Sequence, residues 1–288
     1  MQARLIKNID SLWWDSEIEA CKNSLIYAKS WYLDAISPGW SALVFGDNEA
    51  FMPLPRKFKF GLLPIILQPL FCQQLGIFYK DEMPDFNLAL PALNRSIRTV
   101  LNLNSHHKGQ GEKKTNYILD ISKPYEELKG AYNKDAKKNL KKEILIDWLE
   151  PAFSKSKFRQ LVKVYKSQYG EKENFDEKKE ELLQNVLFAA HRNKSLLFFE
   201  LKDSDDMLLF NAAILKDENR LYYLFGAPTD TGRAQNITHY FIDGLIRRYA
   251  GQNYTLDFEG SMIPGVAQFY KKWGSKKEIY WVYKSKWL

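Results

Sequence analysis

The sequence predicts a mixed α/β (α+β) protein of two domains, with mostly antiparallel sheets flanked by helices. Three observations carry this reading. The 288 residues exceed one small domain, since a domain uses roughly 100 to 200 residues. Hydrophobic residues make up 45% and charged residues 27%, enough apolar material for real cores and no signature of disorder. The second half reads in the order β-α-α-β-β-β-α-β-α-β, while the first half reads as strands punctuated by Pro and Gly.

In the first half, helical stretches are expected over 11–24 and 84–95. Residues 40–45 and 49–54 are apolar runs around Gly46-Asp47-Asn48, which tolerate positive φ, so they predict a β-hairpin. A strand is expected over 63–71. Gln68, Gln73 and Gln74 interrupt this apolar region, and their amides need partners. Gln68 and Gln74 are therefore candidates for a substrate cleft, with ordinary hydrogen bonding at the sheet end as the plainer reading. Residues 104–116, which include His106, His107, Gly109 and Gly111, lack periodicity and predict a loop; residues 117–120 close the half as a strand.

Residues 128–142 predict a helix with two distinct faces. Leu128, Tyr132, Ala136 and Leu140 recur every four residues, and Lys134, Lys137, Lys138, Lys141 and Lys142 recur three or four apart. One face docks and the other carries charge. Segments 129–142 and 271–288 each hold six Lys against one acid, which concentrates the net charge of +7 in two places. A basic face of this kind fits an anionic ligand as well as plain solvation.

The second half begins with a strand over 144–149 and helices over 154–169 and 176–192. Strands over 196–201, 208–215 and 221–225 then form a meander, joined by Asp-, Ser-, Glu- and Asn-rich turns at 203–206 and 217–219. A helix over 233–249, a strand over 254–258, a helix over 264–272 and a strand over 279–283 complete the order. The expected domains are 1–122, a basic connecting helix 123–143, and 144–288.

Several function classes drop out. Cys21 and Cys72 lie in apolar contexts and fit buried thiols in a reducing compartment better than a disulfide framework. The four histidines lack ligand spacing, so no metal is expected. The sequence has no Gly-x-Ser-x-Gly, Walker loop or Gly-x-Gly-x-x-Gly, which removes the common hydrolase, NTPase and dinucleotide readings. It has no signal-like start and no run of about 18 apolar residues, so a soluble cytoplasmic protein without a membrane span is expected.

The element order of the second half resembles the GNAT acyltransferase fold, in which a meander feeds a helix whose N-terminus binds the pyrophosphate of coenzyme A. Thr229-Asp-Thr-Gly-Arg-Ala234 is similar to that family's Gln/Arg-x-x-Gly-x-Gly/Ala loop, with Thr229 in the place of Gln or Arg. The resemblance implies that Thr229, Gly232, Arg233 and Ala234 hold donor phosphate, where small residues let backbone amides approach and the helix dipole favours an anion. Gln268-Phe-Tyr-Lys-Lys-Trp-Gly274 resembles the family's aromatic-Tyr-x-x-x-Gly segment, whose tyrosine protonates a departing thiolate. Leu256-Asp-Phe-Glu-Gly-Ser261, Pro264-Gly265 and Phe269-Tyr-Lys-Lys-Trp-Gly274 are also similar to the Fem-type peptidoglycan aminoacyl transferases. Their Phe-Lys-x-Gly-Phe-Gly block carries a lysine for the developing oxyanion; here Tyr270 stands at that place and Lys271 one position on. That family also sets a Lys/Arg-studded helix between two GNAT-like halves, as at 132–142. The resemblance thus implies two tandem GNAT-like domains, the first degenerate and the second carrying the donor site.

The expected function is an N-acyl or aminoacyl transferase that moves an acyl group from a coenzyme A thioester or aminoacyl-tRNA to an amine, without a metal. Tyr270 is the expected general acid, Lys271 offsets developing charge, and Glu259, or its neighbour Asp257, takes a proton from the incoming ammonium. Asp257 equally fits a turn cap, and Glu259 a solvated position. Lys134 and Lys138 join Gln68 and Gln74 as substrate-binding candidates. The oxyanion donor in such chemistry is a strand amide freed where neighbouring strands splay, so an opening beside residues 221–225 is expected. The alternative is a non-catalytic GNAT-fold protein that binds RNA or another polyanion through its basic helix.

Overall fold

The structure is a computed structural model that describes residues 1–59, 61–141, 145–260 and 264–285. The chain forms two compact units, residues 1–114 with 279–288, and residues 115–278. Of the residues singled out above, Lys142, Ile144 and Ser261 lie outside the described residues.

The first unit contains β1 (Ala3–Ile6), α1 (Ser11–Glu19), α2 (Ser30–Ile36), β2 (Ser41–Phe45), β3 (Ala50–Leu54), β4 (Arg56–Lys59), β5 (Leu63–Leu67), β6 (Phe78–Tyr79), α3 (Leu90–Leu93) and β7 (Arg98–Leu103). The hairpin forms as its turn predicts: β2 and β3 pair antiparallel from Ser41↔Leu54 to Phe45↔Ala50, and both strands are buried throughout. One sheet has the order β1-β2-β3-β6. α1 starts where the Asp10 carboxylate accepts from the Trp13 N–H at 2.7 Å. It buries Trp14, whose indole donates to the Ala28 carbonyl at 2.7 Å and whose ring meets Trp40 and Phe51 edge-on. The strand expected over 63–71 stops at Leu67. There the Gln68 side chain donates to the Cys72 carbonyl at 2.6 Å and accepts from the Asn102 N–H at 2.9 Å, so the chain turns away instead of continuing the ladder. β5 pairs parallel with β7, a strand that the sequence reading missed.

The rest of the chain runs β8 (Glu112–Asp120), α4 (Tyr125–Gly130), α5 (Lys134–Asn139), β9 (Asp147–Leu149), α6 (Lys155–Glu173), α7 (Glu177–Arg192), β10 (Leu196–Lys202), β11 (Leu208–Lys216), β12 (Arg220–Pro228), α8 (Asp230–Ala234), α9 (Ile237–Tyr249), β13 (Thr255–Asp257), α10 (Pro264–Lys271) and β14 (Lys276–Lys284). In the second unit the strand order is β8-β13-β12-β11-β10-β9. β10, β11 and β12 form the expected antiparallel meander. β13 joins β12 in parallel. Ser154 and Asp176 cap α6 and α7 by accepting from the Lys157 and Lys179 amides. The core gathers Phe199, Phe210, Phe241, Leu245, Phe258 and Trp273, each at most 1% exposed. Burying a side chain of this size contributes about 1.5 to 3 kcal/mol.

Further expectations need correction. The helix expected over 11–24 ends at Glu19, and the one expected over 84–95 is a tight turn over 86–89 followed by the four-residue α3. The loop expected over 104–116 ends at Gly111, because β8 begins at Glu112. Its polar start carries no apolar signal, and contacts from the chain's end hold it: Lys284 pairs with Glu112 at 2.9 Å, and Lys113 lies 5.4 Å from the Trp281 ring centre. The helix expected over 128–142 is two short helices. The Asn133 side chain caps α5 by accepting from the Ala136 N–H at 2.8 Å, while its own N–H donates to the Lys272 carbonyl. The buried face nevertheless holds, with Leu128, Tyr132 and Ala136 all inside. The helix expected over 233–249 likewise divides into α8 and α9, because Asn236 adopts φ +57. Among the described residues no helix is long and apolar enough to cross a membrane.

Candidate functional site

β12 and β13 are joined for three rungs only: Arg220↔Thr255, Leu221↔Leu256 and Tyr222↔Asp257. β13 ends there and β12 runs on to Pro228. Just past the fork, Phe225 stands opposite Ala213 and Tyr223 opposite Ile214, so Leu224 is an extra residue without a register partner on β11. Such a bulge raises the local twist and re-aims the backbone beside it. The seam expected to open beside residues 221–225 is thus paired at Leu221 and Tyr222 and open only from Tyr223 on. It leads into a cavity of about 450 Å³ lined by Tyr223 to Gly226, by Tyr165 and Tyr169 of α6, by Arg233, by Asn236, Thr238 and His239 at the start of α9, and by Val266, Phe269 and Tyr270 of α10.

Tyr270 is 9% exposed and stacks on Phe258, with ring centres 4.6 Å apart. Burial, and then the charge of Glu259, push its phenol well above the ordinary tyrosine value. Burial does the same to Tyr223, and it pushes Tyr165 up to about 12. These hydroxyls stay protonated near neutral pH and can donate. His239 carries no metal-ligand spacing in the sequence; the structure sets it in the cavity wall. Burial and the Lys272 charge lower its pKa, so the imidazole is neutral. Its Nε2 is buried and has no hydrogen-bond partner among the described residues. In the tautomer that leaves Nε2 without a hydrogen, a neutral imidazole can accept a proton there. One signal was present in the sequence: His239 is polar yet falls on the same face of α9 as Ile242 and Ile246.

The expected phosphate loop lies directly after β12. Thr229 caps α8, its hydroxyl accepting from the Gly232 N–H at 3.1 Å, and Gly232 is required because a Cβ there would stand 2.0 Å from the Leu209 carbonyl oxygen. Arg233 reaches the cavity and lies over the Tyr169 ring at 5.4 Å. Ala234 ends α8, exposed. At the start of α9 the His239 N–H already donates to the Asn236 carbonyl at 2.9 Å, and the positive character of this end of the cavity comes from Arg233 together with the dipole of the helix start.

At the other end, Glu259 has φ +59 and donates its N–H to Asp257 at 2.7 Å. Asp257 is fully buried and also accepts from Arg220 Nε at 2.8 Å and Asn116 Nδ2 at 2.9 Å. Arg220 and Asn116 in turn donate to Glu278 at 2.8 and 3.1 Å. Burial raises the Asp257 carboxyl above the usual carboxylate range even with Arg220 beside it. Its acceptor positions are taken up by this network, which removes it as a proton acceptor for substrate and leaves Glu259 beside Tyr270.

The remaining candidates lie elsewhere. Lys271 is exposed, with its ammonium 5.6 Å from the Tyr117 ring centre, and it does not line the cavity. Gln68 and Gln74 belong to the first unit; Gln74 donates to Gln73 at 2.7 Å and accepts from the Ser105 N–H at 3.1 Å, so both glutamines close loops there. Lys134 and Lys138 are exposed on α5. The structure thus brings Arg233 and Tyr270 to one cavity, with Glu259 close to Tyr270, and adds His239.

No family model matches this sequence, and no curated protein matches it. Among solved structures, it is similar to FemX at 14% identity with a TM-score of 0.69, covering 98% of this chain and 97% of that one. It is similar to L-PGS from Bacillus licheniformis at 12% identity and a TM-score of 0.54, covering 95% and 91% of the two chains. Saccharomyces cerevisiae N-myristoyltransferase with bound myristoyl-CoA follows at 9% identity and a TM-score of 0.50, covering 98% and 82%. These are GNAT-like folds, and the chain shares that fold, as the resemblance in its motifs implied.

Proposed function

We propose that the chain is an N-acyl or aminoacyl transferase whose donor lies in the cavity at the β12–β13 fork. The observation that carries this reading is the fork itself, a bulged strand edge open to a cavity that also holds a protonated tyrosine and a neutral histidine. Arg233 and the start of α9 suit the phosphate of a coenzyme A thioester or of an aminoacyl-tRNA. The N-myristoyltransferase neighbour, solved with myristoyl-CoA, supports the first of these donors. The acceptor amine attacks the acyl carbon as the C–N bond forms and the C–S or C–O bond to the donor breaks. The carbonyl oxygen takes negative charge against the β12 backbone, Tyr270 gives its proton to the leaving sulfur or oxygen, and His239, or Glu259 through water, takes the proton that the amine nitrogen loses as the C–N bond forms.

The test is melting temperature with coenzyme A, acetyl-coenzyme A and tRNA, followed by transfer assays with whichever donor binds. A ligand at 100 times its Kd adds about 2.7 kcal/mol of stability. A shift followed by acyl transfer to an amine supports the reading, and no shift with any of the three ends it. A second reading has one observation in its favour: the Gly232 amide is engaged by Thr229, while Lys134, Lys137, Lys138 and Lys141 are all exposed. Stabilisation by tRNA without transfer from charged tRNA is the outcome expected of a polyanion-binding protein.

A further inference from the structure

The first turn of α9 lines the cavity described above, and its last two turns line another, of about 660 Å³. Five cations surround the second cavity: Lys129, Lys137, Lys141, Arg247 and Arg248. Two of them are paired, Arg247 with Asp243 at 3.7 Å and Arg248 with Glu150. No carboxylate among the described residues lies within ion-pair distance of the three lysines, although Lys137 donates to the Gly130 carbonyl at 2.8 Å. The excess positive charge is therefore gathered around a concavity instead of spread over a flat face.

The floor of this cavity is apolar, made by Leu140, Ile146 and Trp148. α9 backs directly onto the indole at Gly244, where a Cβ would come within 2.1 Å of the Trp148 ring. The Trp148 indole N–H is buried and has no hydrogen-bond partner among the described residues. A buried donor left without an acceptor costs about 1 to 3 kcal/mol. Ammonium groups without a carboxylate partner over an apolar floor call for a ligand that joins a charged oxygen group to an apolar body. The volume lies within the roughly 300 to 1,000 Å³ of small-molecule sites.

We propose that this second cavity binds a small organic phosphate, a phosphate monoester carried on a planar ring. Lys137 and Lys141 hold the phosphate, and the ring lies on Leu140, Ile146 and Trp148. The site is separate from the transfer reading and stands or falls without it.

The test is calorimetric titration of the full chain with adenosine monophosphate, with adenosine, inorganic phosphate and a short oligoadenylate as the other arms. Saturable binding of the monophosphate at one site is expected, with adenosine and phosphate each at least tenfold weaker. The double variant Lys137→Gln/Lys141→Gln should weaken binding at least tenfold, and Lys134→Gln/Lys138→Gln, on the same short helix, should leave it unchanged. Trp148→Phe shrinks the aromatic surface of the floor, so a several-fold loss is expected; if that variant does not fold, the lysine pairs still decide. No binding of the monophosphate at millimolar concentration, or equal losses from both lysine pairs, overturns the proposal. So does affinity that climbs with oligonucleotide length, which would mark an open polyanion face.

Discussion

Arg220, in the first rung of the β12–β13 pairing, donates through Nε to Oδ2 of Asp257, in the last rung, at 2.8 Å. The same guanidinium reaches Glu278 at 2.8 Å, so one buried cation ties two carboxylates at the root of the fork. Beyond Tyr222↔Asp257 no ladder holds the two strands, and the clamp braces the paired stretch before the fork. Replacing Arg220 by Leu leaves both acids buried without their cation, a class of change that costs about 3 to 5 kcal/mol. Urea unfolding of Arg220→Leu should show a loss of that size; a loss under about 1 kcal/mol would mean that the pair does not hold the fork.

Tyr270→Phe removes the one hydroxyl assigned to the leaving group and keeps the stack on Phe258. Single-turnover transfer should slow by about 100-fold, at the low end of general acid effects, while donor affinity stays the same. An unchanged rate would remove the proton-donor role.

His239 works as an acceptor only when neutral. Because burial and Lys272 lower its pKa, the active form persists through neutral pH, and the rate should fall as pH drops below the ordinary histidine value of about 6.5. His239→Asn should be slow at every pH and lack that acid limb. If the limb persists in the variant, another group owns it.

Stability should carry its own pH signature, from His107 in the first unit. His107 Nε2 accepts from the Ile77 N–H at 2.9 Å, and burial lowers its pKa to about 3. The folded state favours the neutral ring, so this contribution is fully present above about 6.5 and is lost as pH falls toward about 3, by up to about 1.4 kcal/mol per pH unit. The difference in melting temperature between the parent and His107→Gln should therefore narrow on acidification. A gap that stays constant from pH 7 to pH 4 would count against it.

Much of the fold was legible in the sequence because its signals are local. The Gly46-Asp47-Asn48 turn announced the β2–β3 hairpin, and the acidic turns at 203–206 and 217–219 announced the meander. What escaped had no local signal. β7 and the polar start of β8 are strands because of what lies beside them, and Asn133 and Asn236 break helices whose apolar spacing runs on regardless. The glutamines at 68 and 74 show the same limit: an amide in an apolar stretch demands a partner, but spacing cannot say whether that partner is a substrate or a loop carbonyl.

The sequence by itself determined the β2–β3 hairpin and the order of the strands and helices after residue 144, because periodicity and turn chemistry act over a few residues. Only the tertiary structure decided which side chains share a cavity. Tyr270 and Lys271 are neighbours in the same motif, yet successive residues of a helix point about 100° apart. Packing of α10 against Phe258 turns the tyrosine inward and leaves the lysine exposed. His239 reaches the same cavity by the converse route, through a left-handed Asn236 that restarts its helix after the strand edge has opened.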